Sequence, residues 1–289
     1  MNEDKSHRLA RLSLDGLSVG DAFGELFFRI SPEMHTNSTL PPGPWPWTDD
    51  THMAISIVEN LKKYGRIDQD ALAEAFARRF MEQPLRGYGG GAARLLRAIA
   101  GGEDWRKISP RLFGEGSYGN GAAMRASPIG GFFFGRPEKA SQEARLSAEI
   151  THSHLEGQAG AMAVAAAASI AATRPPFKPK EFLESILFHL PESITRQRIR
   201  LALEIPGDNL QLAQKKLGTG YRVSAQDTVP FCLWSAAYHL YDFEAALWWT
   251  ARGKGDCDTT CAIVGGIVAL SAPEIPQEWL KKREPLPKI

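Results

Sequence analysis

The chain has 289 residues, of which 43% are hydrophobic and 23% charged, with a formal net charge of +1. That is enough for one large soluble domain or two small ones, and the near-neutral balance leaves no electrostatic footprint for nucleic acid or an acidic membrane surface. Three cysteines do not make a disulfide framework and the opening MNEDKSHRLARLSLDG has no signal-peptide core, so a cytoplasmic location is expected.

Helical periodicity dominates from the start. Leu9, Leu12, Leu14 and Leu17 begin an amphipathic segment running toward Gly20-Asp21-Ala22, and Met53, Ile57, Val58 and Leu61 recur at helical spacing. Asp68 to Met81 lines Leu72, Ala75, Phe76 and Phe80 along one face, until Pro84 and the glycines from Gly87 to Gly91 break the pattern. Leu95 and Ile99 mark a short helix. Ile129 to Phe134 is the one strand-like patch, short and interrupted by two glycines. Ala140 to Ile150 and His154 to Ala172 read as helices, the second rich enough in alanine to pack closely in the interior and ended by Pro175-Pro176. Its apolar run is too short to span a bilayer. Further helices are expected at Lys180 to His189, Glu192 to Leu203, Asp208 to Lys216, Ala225 to His239 and Phe243 to Thr250. The reading is all-α, a single compact multi-helix domain over residues 1–289, with a charged, proline-containing tail after about residue 280 that is expected to fray.

Two acidic clusters stand at the starts of apolar helical stretches. One is Trp47-Thr48-Asp49-Asp50-Thr51; the other is Gly255-Asp256-Cys257-Asp258-Thr259-Thr260. Hard divalent cations such as Mg²⁺ and Mn²⁺ prefer carboxylate, hydroxyl and water oxygens. Thr48, Asp49, Asp50, Asp256, Asp258 and Thr259 supply that set if the fold brings the clusters together. Four carboxylates in one pocket repel unless cations neutralise them. The competing reading is helix capping, since Asp and Thr are ordinary N-caps. Cys257, a soft thiol among hard ligands, is expected to face away.

Gly116-Ser117-Tyr118-Gly119-Asn120-Gly121 has the character of an anion cradle, in which glycines let backbone N–H groups approach a ligand. Ser117 and Tyr118 add hydroxyls; a plain turn is the alternative. His152, in Thr151-His152-Ser153-His154, either hydrogen-bonds a phosphate or sugar hydroxyl or serves as a cap.

Taken in order, these motifs resemble the ADP-ribosylglycohydrolase family. The matching pieces are Gly16 to Gly24 (GLSVGDAFG), Trp47 to Thr51, Gly116 to Gly130, Ile150-Thr151-His152 and Gly255 to Ile263. The resemblance implies an all-α fold with a dinuclear Mg²⁺ or Mn²⁺ centre in a central cleft. It implies Thr48, Asp49, Asp50, Asp256, Asp258 and Thr259 as metal ligands, and Gly116, Ser117, Tyr118, Gly119 and His152 as substrate-binding residues. Many members continue the first motif with a proline and a glutamate where this chain has Leu26 and Phe28; Glu25 lies about one turn earlier.

The expected activity is hydrolysis of an ADP-ribosyl bond at ribose C1″, removing ADP-ribose from a modified protein side chain. Asp49 or Asp258 would move the proton. The alternatives are hydrolysis of a small-molecule ADP-ribose derivative and non-catalytic ADP-ribose binding. Arg86 to Gly91 and Lys215 to Arg222 are candidate rim loops, and Phe113, Tyr118 and Tyr221 are aromatic candidates for the adenine.

Overall fold

A computed structural model describes residues 3–28 and 39–288. Among the described residues every regular element is helical. The first four are α1 (Glu3–Leu26), α2 (Asp49–Tyr64), α3 (Gln69–Glu82) and α4 (Gly90–Ala100). A single turn, α5 (Trp105–Ile108), precedes α6 (Ser127–Phe132), α7 (Pro137–Glu149) and α8 (Leu155–Ala171). Next come α9 (Pro179–Leu187), α10 (Ile194–Ala202), α11 (Leu210–Leu217) and α12 (Ala225–Tyr238). The chain closes with α13 (Phe243–Ala251), α14 (Cys257–Val268) and α15 (Gln277–Lys282).

Side-chain caps set several of the boundaries. Asp68 accepts from the Ala71 N–H to open α3, Ser193 from Arg196 to open α10, and Asp242 from Ala245 to open α13. The strand-like patch at residues 129–134 is instead largely α6, with Pro128 in its first turn. Its glycines serve close packing: a Cβ on Gly130 would stand 2.3 Å from the Ala165 carbonyl oxygen, and one on Gly131 2.7 Å from that of Leu9.

α8 runs through the interior. Its alanines from Ala163 to Ala168 are fully buried, so neighbouring helices approach on several sides. Among the described residues no helix is long and apolar enough to cross a membrane. Cys232, Cys257 and Cys261 are free and buried.

One helix pair decides where the functional residues go. Gly16, Gly20 and Gly24, four apart on α1, form a bare stripe on which α14 lies backbone to backbone. A Cβ at Gly20 would sit 2.0 Å from the Cys261 carbonyl oxygen, and one at Gly24 2.2 Å from that of Cys257. The next residue after Gly20 is Asp21, wholly buried, whose carboxylate receives the start of α2. α1 thus docks the first turn of α14 on its glycines and the first turn of α2 on its aspartate, which sets the two acidic clusters side by side.

The tail does not fray through its first residues. Trp45 N–H donates to the Lys282 carbonyl (2.6 Å) and Glu284 N–H donates to the Trp45 carbonyl (2.8 Å). Trp279 packs beside Phe23, Trp45 and Trp248. The sequence hides this, because Phe23 and Trp45 lie more than 230 positions from the residues they hold.

Candidate metal and substrate site

The two clusters share one cavity of about 490 Å³. Asp49, Asp50, Asp256, Asp258 and Thr259 line it together with Ser117, Tyr118, Gly119 and His152. Nine of the eleven site residues expected from sequence therefore meet on one wall system. The remaining two stand behind it. Thr48 is the N-cap of α2, its hydroxyl 2.8 Å from Asp21 Oδ1 and 3.2 Å from Asp50 Oδ2. Gly116 (φ +88°) carries the turn into the loop, where a Cβ would meet Ser153 Oγ at 2.2 Å.

Capping accounts for only part of the acidic layout. Thr48 caps α2 through a long 3.4 Å contact from the Asp50 N–H. Asp256 occupies the N-cap position of α14 but makes no side-chain cap bond. Its Oδ2 instead accepts from Asn120 Nδ2 at 2.7 Å, and Asn120 also reaches Thr228 Oγ1 at 3.1 Å. Asp258 Oδ1 accepts from the Thr259 N–H at 2.8 Å. Cys257 is buried with its Sγ toward the Ala251 carbonyl, away from the carboxylates, as expected of a thiol in a hard-oxygen site.

Crowding these acids out of water raises their proton affinity. Burial, then the charge of Asp21, pushes Asp49 up to about 7. Asp50 is raised well above the usual carboxylate range by burial and by Asp258, and Asp258 by burial and by Asp256. Asp50 Oδ1 is buried without a hydrogen-bond partner. Among the described residues no three His, Cys, Asp or Glu side chains already close on one point as a finished cage. Even so, an orphaned carboxylate oxygen amid mutually repelling acids, with threonine hydroxyls nearby, is a donor set that fits hard divalent cations.

Several functional residues escape a sequence reading. Asp21 accepts from Thr48 N (2.9 Å), Thr48 Oγ1 (2.8 Å), Thr51 N (3.0 Å) and Thr51 Oγ1 (2.5 Å). Its one signal is a carboxylate embedded in an apolar helix face. Arg125 is fully buried over the Phe76 ring and donates to the Gly121 and Ser147 carbonyls and to Thr151 Oγ1. Burial pushes its guanidinium down to about 9. Thr151 Oγ1 lies 2.7 Å from His152 Nδ1. Arg125 can only donate, so Thr151 Oγ1 accepts from it. His152 Nε2 faces Gly119 and Gly121 on the cavity wall. Burial, then Arg125, pushes His152 down to about 3, so the ring is neutral.

Of the first candidate rim loop, Arg86 to Gly91, residues Gly87, Gly89, Gly90 and Gly91 form a wall of the cavity, as does Ala92 just beyond it. Gly89 caps α4 without a side chain, leaving that helix's first N–H groups bare. Phe113 and Tyr118 also line the cavity and are exposed, whereas Tyr221 is exposed outside its lining. None of the second candidate loop, Lys215 to Arg222, lines the cavity; Val223, the residue just past it, does. Among the described lining residues neither Glu25 nor Phe28 appears; Phe28 is exposed just past α1.

Comparison with known proteins bears on the family and the fold. The sequence model of the ADP-ribosylglycohydrolase family matches residues 2–288. A protein of no stated activity from Archaeoglobus fulgidus is 30% identical over 279 residues, covering 92% of this chain and 88% of its own length. ADP-ribosylhydrolase ARH3 of Xenopus tropicalis is 33% identical over 224 residues, covering 71% of this chain; the match spans 62% of the ARH3 chain. A solved structure titled ADP-ribosylglycohydrolase-related protein complex superposes with a TM-score of 0.68 at 24% identity, covering 98% of this chain and 94% of that one. That likeness concerns the fold.

Proposed function

The chain belongs to the ADP-ribosylglycohydrolase family, and from that premise we propose that it is a divalent-metal-dependent hydrolase that cleaves an ADP-ribosyl bond at ribose C1″ and releases ADP-ribose from a modified protein side chain. One observation carries the reading. Four aspartates from two helix starts line a single cavity with a glycine loop and a neutral histidine.

Thr48, Asp49, Asp50, Asp256, Asp258 and Thr259 would hold two cations, Mg²⁺ or Mn²⁺, which when bound supply positive charge to orient ribose hydroxyls and acidify a water. The protein's own groups do the rest. Asp49 or Asp258 takes the proton from the attacking water and returns it to the leaving group. The carboxylate-rich floor stabilises positive charge developing on the sugar. His152 Nε2 offers a hydrogen-bonding partner to a ribose hydroxyl or phosphate, and the glycine loop and the uncapped start of α4 offer backbone N–H donors suited to a diphosphate. Phe113 and Tyr118, exposed on the lining, offer aromatic faces to the adenine.

The test is release of free ADP-ribose by the full chain from ADP-ribosyl-arginine, ADP-ribosyl-serine and O-acetyl-ADP-ribose, each with Mg²⁺, Mn²⁺ or EDTA. Cation-dependent release from a peptide conjugate is the expected result. Release from O-acetyl-ADP-ribose alone would move the substrate to small molecules. Tight ADP-ribose binding with no release from any conjugate would overturn the proposal.

A further inference from the structure

The segment after α15 does more than end the chain. Glu284 makes a two-oxygen pair with Arg86, with Nη1 to Oε2 and Nη2 to Oε1 both at 2.8 Å. This is the planar, charge-assisted geometry that holds position as well as binding. Two further Arg86 donors are also engaged: Nη1 reaches the Trp47 carbonyl at 3.1 Å and Nε reaches Gln83 Oε1 at 2.7 Å. The guanidinium lies over the Trp47 ring, 3.6 Å from its centroid. The Arg86 carbonyl accepts the Asp49 N–H at 2.7 Å. The next residue, Gly87 (φ +97°), lies so close to Asp49 that a Cβ there would meet Asp49 Oδ1 at 3.2 Å.

Two segments therefore converge on one side chain. Residues 45–49 lead into the first acidic cluster, and residues 83–91 lead into the glycine wall of the cavity. Glu284 is tied to the first by its backbone, through Trp45, and to the second by its carboxylate, through Arg86. Hydrogen bonding to Arg86 holds the Glu284 carboxyl below the usual range against its partial burial, so the carboxylate is ionised at neutral pH.

We infer that Glu284 is a positioning residue for the proposed active site: through Arg86 it fixes the wall loop against Asp49, so that the carboxylate floor and the glycine wall keep one spacing. This rests on the proposed function only in giving Asp49 its role; the mechanical coupling stands apart from it.

The experiment compares Glu284→Ala and Glu284→Gln with wild type in the full chain, by hydrogen–deuterium exchange and by Mn²⁺ titration. Arg106→Ala is the control, since it cuts a bidentate pair with Asp70 that has no tie to the cavity. In Glu284→Ala, exchange should quicken about tenfold in residues 47–53 and 84–92 and stay unchanged in α8, the mark of local opening. Mn²⁺ affinity should fall about tenfold. Glu284→Gln, which keeps one acceptor for Arg86, should fall between. Arg106→Ala should change neither readout. Wild-type exchange in both segments of Glu284→Ala would overturn the inference, as would a rise spread evenly over the chain. If wild type binds no Mn²⁺, the proposed function falls while the exchange result still decides the coupling.

Discussion

Asn120 Nδ2 donates to Asp256 Oδ2 at 2.7 Å, joining the glycine loop to the carboxylate floor across 136 positions. The amide holds Asp256 off its own helix, where it would otherwise cap α14, and aims it into the cavity. Asn120→Ala should therefore lower turnover about 10–100-fold, the usual effect of removing a group that orients a ligand. Asn120→Asp should be worse, because a second carboxylate would face Asp256 in a buried site. Steady-state kinetics with a Mn²⁺ titration check both. Equal activity in wild type and Asn120→Asp would remove the tie from the mechanism.

Asp21 is the buried hub of the first cluster. Four donors from Thr48 and Thr51 converge on it. Each buried donor left unpaired costs about 1–3 kcal/mol. Asp21→Ala should thus cost about 3 kcal/mol or more in urea unfolding and lose cation affinity with it, since Thr48 and the α2 start lose their anchor. Asp21→Asn keeps one acceptor oxygen and should lie between. A drop in stability with unchanged Mn²⁺ affinity would make Asp21 a purely structural residue.

What was legible in the sequence, and what was not, divides along the range of the interactions involved. Asp49, Asp50, Asp256 and Asp258 could be picked out because hard-ligand chemistry and helix starts leave a local pattern. The helices of α3, α8 and α12 could be found because burial imposes a short period or an alanine run. Gly16, Gly20 and Gly24 were visible as residues, but their purpose lies in the backbone of α14, some 240 positions on. The Arg86 to Gly91 stretch reads as a rim loop because glycine looks alike in a loose loop and in a surface that must admit a ligand. Glu284 reads as a frayed end because charge near a terminus is ordinarily solvated, and its partner Arg86 is 198 positions away. Gly130 and Gly131 break what looks like a strand because they serve contact between helices.

The glycine stripe on α1 invites its own test. A methyl at position 20 would fall 2.0 Å from the Cys261 carbonyl oxygen and 2.6 Å from its carbon, both backbone atoms that cannot swing away. Overpacking of this kind typically costs about 1–3 kcal/mol. Gly20→Ala should reach the top of that range and also lower turnover in the folded fraction, because pushing α14 from α1 separates Asp256 and Asp258 from Asp49 and Asp50. Gly102→Ala, whose Cβ would meet no neighbour, is the contrast. Its φ of +92° still costs stability, but turnover should hold. Unfolding midpoints and kcat on the same samples separate the two effects. Wild-type kcat in Gly20→Ala would show that the helix spacing does not set the site.

His152 gives a pH signature with a definite sign. Burial first, then the Arg125 charge, lowers it to about 3, against about 6.5 in an unfolded chain. Below 6.5 the unfolded state takes up a proton that the folded state refuses. The stability tied to neutral His152 is therefore complete above pH 6.5 and is lost as pH falls toward 3, by about 1.4 kcal/mol per unit. Asp21, at about 6, and Asp49, at about 7, act in the opposite direction, since their folded forms hold protons that the unfolded chain has released. A direct pH–stability curve would mix these effects. The difference between wild type and His152→Gln cancels the carboxylates, which both proteins share. That difference should be level from pH 7 to 8, then shift against wild type by about 1.4 kcal/mol per unit from pH 6 to 4.5 in urea unfolding. A level difference down to pH 5 would mean that His152 charges freely in the folded protein. The cavity would then hold a charged imidazolium in place of the neutral ring.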